Sequence, residues 1–123
     1  MELNKIASIL VIIGAVLGVF TSGSYAFDQT HLEKLMSTKA CQACDLTNAN
    51  LSKMDLKGAK LMETNLAGAN LTNTNLTGAQ LYFADLTGAN ITGTRFSGAQ
   101  LTNATWVDGR QCAHGSLGQC RKE

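Results

Sequence analysis

Proline is absent from all 123 residues, which excludes a proline-rich linker. An excess of one charge is absent too, since ten Lys and Arg stand against nine Asp and Glu. There is accordingly no basic stripe to track nucleic acid and no acidic surface to imitate it. The longest apolar run, Ile6 to Phe20, is about fifteen residues and falls short of the roughly 20 that span a bilayer. No glycine-rich phosphate loop occurs, because the glycines recur at a fixed spacing instead. His31 and His114 stand alone, with no nucleophile or carboxylate placed to complete a catalytic triad.

The apolar run has a different meaning. Lys5 and the free amine precede it, and Ser24-Tyr25-Ala26 supplies small residues before Phe27. Met1 to Ala26 therefore reads as a secretory signal peptide, with an uncleaved anchor as the alternative. Membrane contact is expected only through this segment before cleavage. Export would place Cys41, Cys44, Cys112 and Cys120 in an oxidising compartment, where disulfides persist.

What fills the rest of the chain is a period of five. Residues 44 to 108 form thirteen consecutive units, and the third position of each is large and apolar: Leu46, Leu51, Leu56 and so on to Ile91, Phe96, Leu101 and Trp106. The first position is small in nearly every unit, with eight alanines and three threonines beside Cys44 and Met54. Positions one and three lie two apart, so in extended chain both point to the same side, and the polar second position points outward. The remaining two positions must turn a corner. A type II turn needs positive φ at its second central residue, which favours Gly or Asn. Nine of the thirteen fifth positions are Gly or Asn. Lys53, Glu63, Phe83 and Asp108 are not, and a different turn type is expected there. One straight piece plus one corner per unit closes a square in four units, about twenty residues per coil.

Ala-[Asp/Asn]-Leu-x-x, as in Ala49-Asn50-Leu51, Ala69-Asn70-Leu71 and Ala84-Asp85-Leu86, resembles the pentapeptide-repeat family throughout residues 44 to 108. The resemblance implies an all-β solenoid, a right-handed quadrilateral β-helix of about three coils. The tail from Trp106 to Cys120 is similar to the ending of secreted or lumenal members. The domain reading is then a signal peptide (1–26), an N-terminal cap (27–43), the β-helix (44–108) and a C-terminal cap or tail (109–123).

Both open ends of a solenoid must be covered. Thr30-His31-Leu32-Glu33 reads as a capping box that opens a short helix through about Met36, with Leu32, Leu35 and Met36 facing the first coil. At the far end Trp106 is suited to plug the last coil, and Cys112 with Cys120 is expected to close a small loop beside it. For Cys41 and Cys44 a disulfide and a buried Cys44 thiol are both open readings. The pair does not suit a thioredoxin-type site, which needs a strand-to-helix setting. It does not suit haem attachment either, because Asp45 rather than His follows Cys44. A four-cysteine zinc site would have to join opposite ends of the shaft.

Residues twenty apart stack. Met54 thus shares an inward column with Thr74 and Thr94, and Met62 lies in one column with Tyr82. Phe83 stands at the neighbouring corner. Tyr82 and Phe83 are expected to be exposed, and Met62, Tyr82 and Phe83 are the candidate partner-binding patch, weighed against ordinary scattered surface apolars. The functional reading is a non-catalytic exported module, structural or protein-binding, with no cofactor or metal and an unidentified protein partner. Its compartment would be the periplasm, a thylakoid lumen or the extracellular space. One alternative is a redox or metal-handling protein that uses Cys41 and Cys44. A second is a DNA mimic that binds a topoisomerase, which would call for a longer, acidic, cytoplasmic rod.

Overall fold

In the computed structural model the described residues are 27–123, so the signal segment read over 1–26 lies outside them. Among the described residues one helix, α1 (Gln29–Thr38), precedes a continuous coil. The coil contains no long strand, because each straight piece is too short for more than one ladder contact. Its faces are joined instead by parallel bridges between residues twenty apart, from Ala40↔Lys60 through Asp45↔Asn65 to Asp85↔Thr105. Each bridge is a reciprocal pair of bonds: Leu46 N–H donates to Asn65 O at 2.8 Å, and Asn65 N–H donates to Cys44 O at 2.9 Å. The pairing begins at Ala40, one unit before the repeat legible from Cys44.

Inside, the third-position leucines from Leu46 to Leu86 and Leu101 are buried, and alanines such as Ala49, Ala69 and Ala79 fill the first position beside them. Large and small residues alternate along each inward row, so successive layers fill the space between them. Thr64 and Thr74 are buried as well. Their hydroxyls are satisfied by carbonyls of the layer above: Thr74 Oγ1 donates to Leu51 O at 2.8 Å and Thr64 Oγ1 to Cys41 O. Thr94 Oγ1 donates to Leu71 O in the same way, from a partly buried position at the open end. Met54, the third member of that column, is likewise only partly buried.

The corners differ from expectation in an informative way. Ala49 N–H donates to Leu46 O at 3.0 Å, closing a turn whose second central residue, Asn48, has φ 60°. The same left-handed backbone recurs at Lys53 (φ 61°), Glu63 (φ 59°) and Phe83 (φ 58°). No different turn type is used at these three. The coil imposes one corner geometry because each corner must stack on those twenty residues away, and this outweighs the 1–2 kcal/mol or so that a non-glycine residue loses there. Asp108 does depart from it; positive φ falls on Gly109 instead.

The second position does more than face outward. Asp45 Oδ1 accepts from both the amide and the hydroxyl of Thr47, at 3.0 and 2.6 Å. Asn50 with Ser52, Asn70 with Thr72, Asp85 with Thr87 and Asn90 with Thr92 repeat the arrangement. Each is a local side-chain brace that pre-sets the corner.

The helix starts earlier than its capping-box reading. Asp28, not Thr30, is the N-cap, and its Oδ1 accepts from the Thr30 amide (2.8 Å) and hydroxyl (2.5 Å). Thr30 lies within the first turn, where its own amide is among those that need a cap. Leu32 and Leu35 are buried against the first coil, and Met36 is partly buried. The bonds from Thr30 hold the Asp28 carboxyl below the usual carboxylate range, and those from Thr47 do the same for Asp45. A depressed folded-state pKa means stability that is present above the unfolded value and lost as pH falls through the folded one. The cap is therefore expected to loosen progressively below about pH 4. Asp28→Ala should lower the melting temperature at neutral pH and flatten that acid dependence, both measurable by thermal melts across pH.

Candidate interaction surface

The candidate patch lies on the face that carries Lys60, Gln80 and Gln100 in one outward column. At the corner that ends this face, Glu63 N–H donates to Tyr82 O (2.8 Å) and Phe83 N–H to Thr102 O (3.3 Å), so the backbones of 63, 83 and 103 are in register. Phe83 is 59% exposed. Tyr82 and Met62 are only half-buried, a correction to the expectation of an exposed Tyr82.

A further residue joins this face from outside the repeat. The tail turns back beneath the last coil through antiparallel bridges, Thr105↔Gln111 and Gln100↔Leu117. Residues paired across a ladder point to the same side, so Leu117 extends the outward column of Gln80 and Gln100. It is 61% exposed, and among the described residues it and Phe83 are the exposed large hydrophobics. Nothing in the repeat pattern could have identified Leu117, because its direction is set by pairing with Gln100. Between the two anchors stand Gln80, Gln100, Thr102 and Asn103, all uncharged.

The cysteines are placed at the two ends. Cys41 is bonded to Cys44, with Cα atoms 5.3 Å apart, and Cys112 to Cys120, at 4.9 Å. Among the described residues no cysteine is free. Cys41, Cys44 and Cys112 are buried, which removes their sulfurs from solvent. At the C-terminal end Trp106 packs on Phe96 with ring centroids 5.3 Å apart, and both rings are partly buried.

A groove of about 530 Å³ opens between α1 and the corner at Lys53, lined by Leu35, Met36, Met54 and Leu56 with Lys39 and Asp55 at its rim. Lys39 Nζ lies 3.8 Å from Asp55 Oδ2 across it, both well exposed. Ser52 and Lys53 complete its lining, and its rim carries an ion pair over an apolar floor.

A four-sided coil with an inward leucine in almost every five-residue unit defines the class, a β-helical repeat protein. The model of pentapeptide repeats matches residues 41–78 and 79–105, in eight copies, and the chain belongs to that family. Pentapeptide-repeat proteins form right-handed quadrilateral β-helices. Among solved structures, a pentapeptide repeat protein from Nostoc PCC 7120 shares 31% identity over 68% of this chain and 75% of its own, with a TM-score of 0.40. One from the cyanobacterium Cyanothece 51142 shares 36% identity over 53% of this chain, with a TM-score of 0.34; the match spans 48% of that protein. A third, from the Arabidopsis thaliana thylakoid lumen, shares 24% identity over 65% of each chain, with a TM-score of 0.35. No curated protein matches the chain.

Proposed function

We propose that this protein is a non-catalytic, exported interaction module that engages a protein partner through the face bearing Met62, Tyr82, Phe83 and Leu117. Phe83 carries the reading. Its corner demands left-handed backbone, six equivalent corners use glycine, and the ring points to solvent where it contributes nothing to the core. A strained, exposed aromatic is a cost to folding that binding can offset. Toward Leu117 the anchors are flanked by neutral amides and hydroxyls, with Lys60 and Glu63 at the opposite rim, an apolar centre with a polar edge that suits a protein contact. Export is supported by the signal layout of 1–26 and by two disulfides, which persist in oxidising compartments.

The test separates folding from binding at the same residue. Phe83→Gly is expected to stabilise the protein by about 1 kcal/mol, because glycine adopts the corner without penalty. Combined with Tyr82→Ala it should also abolish partner capture, read by crosslinking in the exported compartment followed by mass spectrometry. Recovery of the same partners by the parent and the double variant would rule this face out.

A further inference from the structure

The first coil has no layer above it, so its upward-facing amides must find acceptors elsewhere. Within the shaft the amide of a second-position residue donates to a carbonyl one coil up, as Asn65 N–H does to Cys44 O at 2.9 Å. At Asp45, directly above Asn65, the acceptor is Nδ1 of His31, at 3.0 Å. An imidazole nitrogen thus takes the place of the missing carbonyl. The reciprocal bond of the pair is present too, since Asp28 N–H donates to Asp45 O at 3.2 Å. The start of α1 is fastened to the coil by what amounts to one more rung of the ladder, with a side chain completing it.

That substitution has a chemical consequence which a backbone carbonyl would not. Only an unprotonated Nδ1 has a lone pair to offer, and an imidazolium presents N–H at both nitrogens. We propose that His31 is a proton-operated latch on the N-terminal cap, accepting the Asp45 amide when neutral and releasing it when charged. The carboxylates of Asp28 and Asp45 are the charged groups that act on the ring. His31 Nε2 is 3.9 Å from Asp28 Oδ2, with the Asp28 carboxylate already bound to Thr30 and that of Asp45 to Thr47 through their other oxygens. The same threonine bonds hold both carboxyls below the usual range, so both stay ionised while an imidazole titrates. Protonation therefore exchanges one partner for another: the ring leaves a backbone amide and gains an ion pair with Asp28 at its edge. What the latch covers is the buried Leu32 and Leu35 and the Cys41–Cys44 disulfide, whose Cys41 sulfur lies 3.1 Å from the His31 carbonyl oxygen.

Amide hydrogen exchange followed by NMR on the full chain between about pH 8 and 5 tests this. Asn65, whose acceptor is a carbonyl, serves as the internal reference. The Asp45 protection factor is expected to fall about tenfold relative to Asn65 as His31 protonates, the loss of about one hydrogen bond, with its midpoint tracking the His31 ring resonances. His31→Gln, whose side-chain oxygen accepts at any pH, should abolish that fall. His31→Phe should show low Asp45 protection throughout. An Asp45 protection factor that is constant across the His31 titration, or one that falls equally in His31→Gln, would overturn the latch.

Discussion

Leu71→Asp is expected to abolish the folded state at room temperature, whereas Asn70→Asp, one residue earlier, should leave it intact. Leu71 is fully buried, its N–H donates to Asn90 O, and its carbonyl accepts from Thr74 and Thr94. Truncating a buried leucine alone costs about 2–5 kcal/mol. A carboxylate in the same space adds the penalty of an unpaired buried charge, or of protonating to avoid it. The sum approaches or exceeds the roughly 5–15 kcal/mol that holds a whole domain together. At position 70 the side chain faces outward between Asn50 and Asn90, both uncharged, and beside Thr72, whose amide and hydroxyl an aspartate accepts just as asparagine does. Asp45 and Asp85 already make those bonds at equivalent positions. Far-UV circular dichroism and thermal melting of the two variants therefore test the five-residue frame directly. A frame displaced by one residue would reverse the outcome, and a folded Leu71→Asp protein would refute the inward assignment.

The inward positions were legible because a period of five admits few architectures and each unit repeats the same demand. Leu46, Leu51, Leu61 and their counterparts needed nothing beyond that arithmetic. The corners at Lys53, Glu63 and Phe83 were not legible, because local preference argues against left-handed backbone there and the stacked corners of adjacent coils overrule it. Propensity weighs about 1 kcal/mol at one residue, while a corner that failed to stack would interrupt the ladders on two faces. The cap at Asp28 was missed for a local reason: Asp28 and Thr30 both carry cap chemistry, and only where the backbone turns helical, at Gln29, decides which residue caps. Leu117 lay beyond any pattern, since the antiparallel return of the tail chooses its face. The candidate surface thus combines a visible exception within the repeat, Phe83, with a contributor that only the fold could supply.

Replacing Cys112 and Cys120 together by alanine is expected to destabilise the protein by about 2.5 kcal/mol, the entropy released to the unfolded chain when a loop with a sequence separation of 8 is opened. For a domain of this size that corresponds to a fall in melting temperature of roughly 10–20 °C. The effect should also be unevenly distributed. The tail supplies the acceptors for the last coil: Leu101 N–H donates to Ser116 O, Asn103 N–H to Cys112 O and Trp106 N–H to Arg110 O, at 2.9, 3.1 and 2.8 Å. A tail freed from its crosslink leaves these amides without the layer that every earlier coil has. Hydrogen exchange should therefore quicken first at Leu101 and Asn103, while Leu51 and Leu71, whose acceptors Asn70 and Asn90 belong to the coil itself, retain their protection. Leu117 would lose its fixed direction beside Gln100, so partner capture should weaken even where Phe83 is untouched. The Cys41–Cys44 bridge closes a much shorter loop, with a sequence separation of 3, and its removal should shift the melting temperature less. Unchanged melting and unchanged protection at Leu101 in the Cys112→Ala, Cys120→Ala protein would mean that backbone pairing alone seats the tail. The disulfide would then have no part in presenting Leu117.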